Sequence, residues 1–129
     1  MPRSILDEAH IHPSIGEKIA NNHIDTVREV QAAVFQNDVV VVGMAQNPHV
    51  KAARQALATR SVAFKYLEYG SYFSAWRRRN ALKMWTGWPT FPMVFVKGVL
   101  IGGASELEKL IAKDELTRLL ARNDVPAAT

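Results

Sequence analysis

The chain of 129 residues contains no cysteine. That absence removes disulfides, cysteine-ligated zinc or iron-sulfur, thiolate nucleophiles and dithiol exchange from its own chemistry. It does not fix a compartment, because a cysteine-free chain survives in any redox environment. Long apolar runs are missing too. The longest, Val39 to Met44, falls far short of the roughly 18 apolar residues of a membrane span. Met1-Pro2-Arg3-Ser4 lacks the apolar core of a secretory signal, so a cytoplasmic location is the expectation. Walker loops, dinucleotide glycine fingerprints and a Ser-His-Asp order are likewise absent.

What is present is a composition of 48% hydrophobic and 22% charged residues, that of one globular domain able to form a core without staples. The net charge of +4 is uneven: residues 1 to 35 carry three basic and five acidic groups, and thirteen basic and seven acidic groups follow. The main body is thus the cationic part. This favours anionic small molecules, acidic protein surfaces or nucleic acid without choosing among them.

Residues 1–24 are polar and broken by Pro2, Pro13 and Gly16. They read as an N-terminal extension with a short helix near Ser14 to Asn21, where Ser14 and Glu17 have capping-box spacing. Residues 25–129 read as the domain proper, closing with a C-terminal helix. A helix is expected from Asp25 or Thr26 to about Gln36, with Glu29 at a second capping-box position and Val27, Val30 and Val34 on its apolar stripe. Val39-Val40-Val41-Val42 lacks alternation, as a strand buried on both faces does. Asn47-Pro48 supplies an N-cap and a proline at the first helical position, with Val50, Ala53, Ala56 and Leu57 at helical spacing.

A second strand is expected over Ala63 to Leu67. A helix is expected from about Tyr72 to Trp85, burying Phe73, Trp76, Ala81 and Met84. Met93 to Val96 and Val99 to Ile101, separated by Lys97-Gly98, predict a tight antiparallel hairpin. Gly102-Gly103 then leads to one helix carrying Leu107, Leu110 and Ile111, and a last one capped by Asp114. Parallel strands joined by a helix, followed by a hairpin, describe an α/β fold of thioredoxin-like layout.

Four stretches, Val39 to Leu57, Trp76 to Pro92, Met93 to Ile101 and Gly102 to Leu110, resemble the glutaredoxins, and most closely their monothiol branch. Trp88-Pro89-Thr90-Phe91-Pro92 is similar to the family's Trp-Pro-Thr-x-Pro segment. Phe95 to Gly103 is similar to the hairpin and paired glycines that follow it. The resemblance spans about residues 26 to 112. It implies a three-layer α/β/α sandwich with a four-stranded mixed sheet and extra N- and C-terminal helices.

It also implies a cis Pro92, with Thr90, Phe91 and Pro92 pairing with an extended ligand as an added strand does. Gly103, Ala104 and Ser105 would offer N–H groups to a carboxylate. Arg79 aligns with the family's basic residue for the glycyl carboxylate of glutathione. Asn47, in Asn47-Pro48-His49-Val50, stands at the position of the nucleophile. Met44 replaces the family's lysine, and Ser105 the acidic residue after the double glycine.

Asparagine cannot attack a disulfide, nor replace the thiolate that holds a bridging two-iron two-sulfur cluster in monothiol relatives. The expectation is therefore a non-catalytic protein that binds glutathione, a γ-glutamyl compound or a partner's extended segment, with no resident metal or covalent cofactor. The alternative is a redox or iron-sulfur-related protein acting through a partner's thiol. His49 is too isolated to stand in as a ligand, and His10-x-His12 with Glu8 and His23 suits no standard cage. No nucleic-acid partner is expected at Trp76-Arg77-Arg78-Arg79, because the helical spacing turns Trp76 inward and points the consecutive arginines in different directions.

Overall fold

The computed structural model describes residues 3–121; positions 1–2 of the extension and 122–129 of the domain lie outside the described residues. A short 3-10 turn, Glu8–His10, precedes α1 (Pro13–Ala20) and α2 (Ile24–Gln36). Then follow β1 (Val39–Gly43), α3 (Pro48–Thr59), β2 (Lys65–Glu68), α4 (Trp76–Thr86), β3 (Met93–Val96), β4 (Val99–Gly102), α5 (Ala104–Ala112) and α6 (Glu115–Leu120). The sheet order is β2-β1-β3-β4. β1 pairs parallel with β2, Val40 opposite Lys65, and antiparallel with β3, Val40 opposite Phe95. β3 and β4 form the antiparallel hairpin.

β1 is buried along its whole length because its alternate side chains enter two cores. Val40 and Val42 pack with Val27 and Val30 of α2 and Leu82 of α4. Val39 and Val41 pack with Ala53 and Leu57 of α3, Leu107 of α5 and Leu116 of α6. Two helical layers thus sandwich the sheet, which is the thioredoxin-like arrangement. In the hairpin, Lys97 (φ 50°) and Gly98 (φ 80°) both take the positive φ of a two-residue turn. The Lys97 ammonium lies 3.2 Å from the Asp38 carboxylate.

Several local expectations are corrected. α1 is capped by His12, whose Nδ1 accepts from the Ser14 N–H, in place of a Ser14–Glu17 capping box. α2 starts at Ile24 after a left-handed His23, without a side-chain cap, and Glu29 accepts instead from the Tyr69 hydroxyl. β2 is Lys65–Glu68 rather than Ala63 to Leu67. Asp114 adopts φ 60° and makes no capping bond to α6.

The largest correction concerns α4, which begins at Trp76, not Tyr72. Ser71 and Ser74 bind local groups: Ser71 N–H donates to Ser74 Oγ at 3.1 Å and Phe73 N–H to Ser71 Oγ at 3.2 Å. Such bonds compete with helix and hold the chain in a turn. The inward residues of α4 are consequently Arg79, Ala81 and Leu82. Of the four residues expected inside, only Ala81 is buried; Phe73, Trp76 and Met84 are 93%, 54% and 70% exposed.

Candidate active-site groove

The sheet topology gathers the candidate residues at one end. The end of β1, the start of β3 and the end of β4 lie together, because β3 runs antiparallel to both neighbours. The end of β2 joins them: Tyr69 N–H donates to Gly43 C=O at 2.9 Å, and Ala45 N–H to Gly70 C=O at 2.8 Å. Met44 to Asn47, Tyr69 to Ala75, Thr90 to Pro92 and Gly102 to Ser105 therefore surround a common edge.

Asn47 is a structural cap. Its Oδ1 accepts from the His49 N–H at 2.9 Å and the Val50 N–H at 3.2 Å, with Pro48 at the first helical position. The two N–H groups that would steady an anion at this helix start are thus engaged by a neutral amide. Gly43 lets α3 approach the strand: a Cβ there would lie 2.6 and 2.9 Å from the Val50 methyl carbons. Beside Asn47 opens a cleft of about 460 Å³, walled by Met44, Gln46, Lys51, Arg54, Tyr66 and Glu68. Arg54 lies over the Tyr66 ring, 3.9 Å from its centroid, and the Tyr66 hydroxyl donates to Glu68 at 2.9 Å. Burial, reinforced by the Glu68 carboxylate, pushes the Tyr66 phenol up to about 12.

The Phe91–Pro92 peptide bond is cis. Thr90 is exposed while Phe91 and Pro92 are buried, so the Phe91 ring belongs to the core and Phe91 can offer a ligand only its backbone. The Lys83 ammonium sits 5.7 Å from the Phe91 ring centroid. Gly103 abuts this segment closely: a Cβ on it would stand 3.3 Å from the Pro92 carbonyl oxygen and 3.8 Å from Trp88 Nε1. That indole N–H is buried without a hydrogen-bond partner among the described residues.

Two expected contacts are changed. Gly103 N–H donates to Glu106 Oε1 at 2.9 Å, so that of the three N–H groups expected to meet a carboxylate only Ala104 and Ser105 remain free among the described residues. Glu106 was not anticipated as a site residue, although its place three residues after Gly103 is capping-box spacing. Arg79 is not presented to a ligand. It is buried, and Nη1 donates to Tyr69 C=O at 2.9 Å and Ser74 C=O at 2.6 Å. Burial lowers its pKa. Its role here is to tie the β2–α4 loop to the helix.

An iron-sulfur cluster held by a protein thiolate does not fit this donor set. The chain has no cysteine, Asn47 occupies the relevant helix start, and the described residues contain no group of three or more His, Asp or Glu side chains placed to hold a metal. A second cavity of about 630 Å³, lined by Phe35, Trp85, Phe95 and Leu100, lies between α2 and α4 toward the Gly98 turn, away from the groove. Among the described residues no helix is long and apolar enough to cross a membrane.

Comparison with known proteins agrees with the geometry. A family pattern described as Glutaredoxin matches residues 39–101. A glutaredoxin-like protein of Dictyostelium discoideum is 52% identical over 96 residues, covering 74% of this chain and 78% of the relative. A glutaredoxin of Vernicia fordii is 33% identical over 92 residues, 71% of this chain and 88% of the relative. A crystal structure of a buckwheat glutaredoxin–glutathione complex superposes with a TM-score of 0.70 at 20% identity, covering 83% of this chain and 97% of that one. With this fold, the cis-proline edge, the double glycine and relatives of this closeness, the chain belongs to the glutaredoxin family, and it does so without the family's cysteine.

Proposed function

We propose that this protein is a non-catalytic glutaredoxin that binds glutathione or a related γ-glutamyl compound at the cis-proline groove. The observation that carries this reading is a split site. Its backbone half persists in the Phe91–Pro92 edge and the Ala104 and Ser105 N–H groups at the α5 terminus, while the reactive position is occupied by a helix cap. Backbone recognition of an extended peptide needs no thiol, because an edge and a helix terminus supply the donors and acceptors. The buckwheat relative was crystallised with glutathione, which supports the ligand class.

Two features make this binding weaker than a full family site gives. Arg79 is committed to backbone carbonyls, and Met44 provides no cation, so a glycyl carboxylate loses charge-assisted bonds. Titrating isotope-labelled protein with millimolar glutathione tests the reading: amide shifts are expected at Phe91, Ala104 and Ser105, with no thiol-transfer activity. Unchanged spectra at those three positions would refute it.

A further inference from the structure

Helical spacing alone places Trp76 inward and points the three consecutive arginines in different directions; in the structure Trp76 faces outward, and of the arginines only Arg79 turns inward. The Ser71–Ser74 turn and the first turn of α4 instead display three rings outward: Tyr72 at 57%, Phe73 at 93% and Trp76 at 54% exposure. The Arg77 guanidinium lies 5.1 Å from the Trp76 ring centroid. Exposed rings concentrated in five residues of sequence need a reason, since apolar surface of this kind marks an interaction site.

The chain around them is cationic. From Tyr69 to Ser105 the sequence contains no aspartate or glutamate; Arg79 is buried on carbonyls and Lys97 is paired with Asp38 at the hairpin turn, which leaves Arg77, Arg78 and Lys83. Arg77 has no ion pair among the described residues. Arg78 is the less available cation, because it shares the surroundings of Tyr69 with Asp25 and Glu29 of α2. The corner adjoins the cleft beside Asn47 through the Ala45–Gly70 hydrogen bond, and that cleft adds Lys51 and Arg54, offset by Glu68 alone. β2 is an edge strand, so these cations follow an open border of the sheet.

We infer that this border binds a single strand of nucleic acid, with bases stacking on Phe73, Trp76 and Tyr72 and phosphates meeting Arg77, Arg54 and Lys51. Exposed rings beside cations are the combination that holds single strands without sequence preference, because every base has a π face. The cations come from helices on the two sides of the β2 border, and the three exposed rings beside them suit a strand that carries both bases and phosphates better than an acidic protein patch, which has no base to stack. This inference does not depend on the glutathione reading, whose contacts are backbone groups of the Phe91–Pro92 segment and of α5.

The test is fluorescence anisotropy of the full chain with a labelled oligouridine of about twelve nucleotides, between about 50 and 200 mM salt. Three phosphate contacts predict a log–log salt slope of about −2 for a single strand. Phe73→Ala and Trp76→Ala should each weaken binding about ten-fold with the slope unchanged. Arg77→Gln should flatten the slope by about 0.7. These side chains are exposed, and circular dichroism of each variant confirms its fold. Absence of binding at low salt overturns the inference, as does binding indifferent to both ring deletions. An oligoglutamate peptide bound more tightly than the oligouridine overturns it in favour of an acidic protein partner.

Discussion

If Asn47 has exchanged a nucleophile's place for a cap's, its substitution should affect stability in a defined order. Its Oδ1 accepts two N–H groups of the first turn, at 2.9 and 3.2 Å, and the second belongs to the buried Val50. Asn47→Ala removes both bonds; water can replace the exposed one at His49 more readily than the one at Val50. The expected loss is about 1 kcal/mol, or a fall in Tm of about 4 °C for a domain of this size. Asn47→Ser should retain most of the stability. Asn47→Asp should exceed the parent by about 0.5 kcal/mol at neutral pH, since a carboxylate faces the positive helix end. That gain belongs to the ionised form, whose folded pKa is depressed, so it is present above about pH 4 and lost as pH falls through the folded value.

Asn47→Cys gives a single thiol, whose pKa should lie below the ordinary value of about 8.5 because the same two N–H groups favour thiolate. Thermal and chemical unfolding measure the first three variants, and the pH dependence of alkylation rate the fourth. An Asn47→Ala variant as stable as the parent, together with an unshifted thiol, would refute the assignment of this position as a working helix terminus.

At Gly43 the close approach of α3 predicts that Gly43→Ala costs about 1–3 kcal/mol by overpacking against Val50; denaturant unfolding should show partial recovery on adding Val50→Ala, and additive losses would argue against contact. In alkaline solution, stability should decline above about pH 10. Burial and a carboxylate partner raise Tyr66 to about 12, and raise Tyr69 as well through burial and Glu29. The folded state therefore holds phenol protons that the unfolded state releases, and stability present below pH 10 is lost as pH rises through the folded values. Tyr69→Phe should flatten that decline in unfolding measured against pH, and an unchanged profile would contradict it.

The parts legible in the sequence are those fixed by neighbours along the chain. The valine run of β1, the Lys97-Gly98 turn and the Asn47-Pro48 helix start each need only local chemistry, and each stands where expected. The start of α4 was hidden by a competition between helical spacing and the hydroxyls of Ser71 and Ser74. Its face was hidden by Arg79, a charged residue whose burial depends on two carbonyls brought to it by the fold. No spacing rule marks an arginine as inward-facing, because such burial is exceptional without hydrogen-bond partners. The Glu106 contact is legible in the sequence, since its distance from Gly103 is a capping signal, but the same paired glycines also fit a ligand-binding turn and spacing does not separate the two.

These substitutions change the physical character of the groove, beyond deleting its chemistry. At position 47 an amide oxygen holds the N–H groups that a thiolate would share. At position 79 a guanidinium expected to meet a ligand carboxylate is turned onto backbone. At position 103 a resident carboxylate holds one of the N–H groups expected to meet a ligand. Each change engages a polar group from within, so what the cis-proline edge has left to offer is chiefly backbone geometry and shape. Cations away from the cis-proline edge remain at Arg77 and, in the cleft beside Asn47, at Lys51 and Arg54. A weakly charged backbone groove and a cationic aromatic border at the same end of one sheet are separable surfaces, and binding at one should persist when the other is mutated.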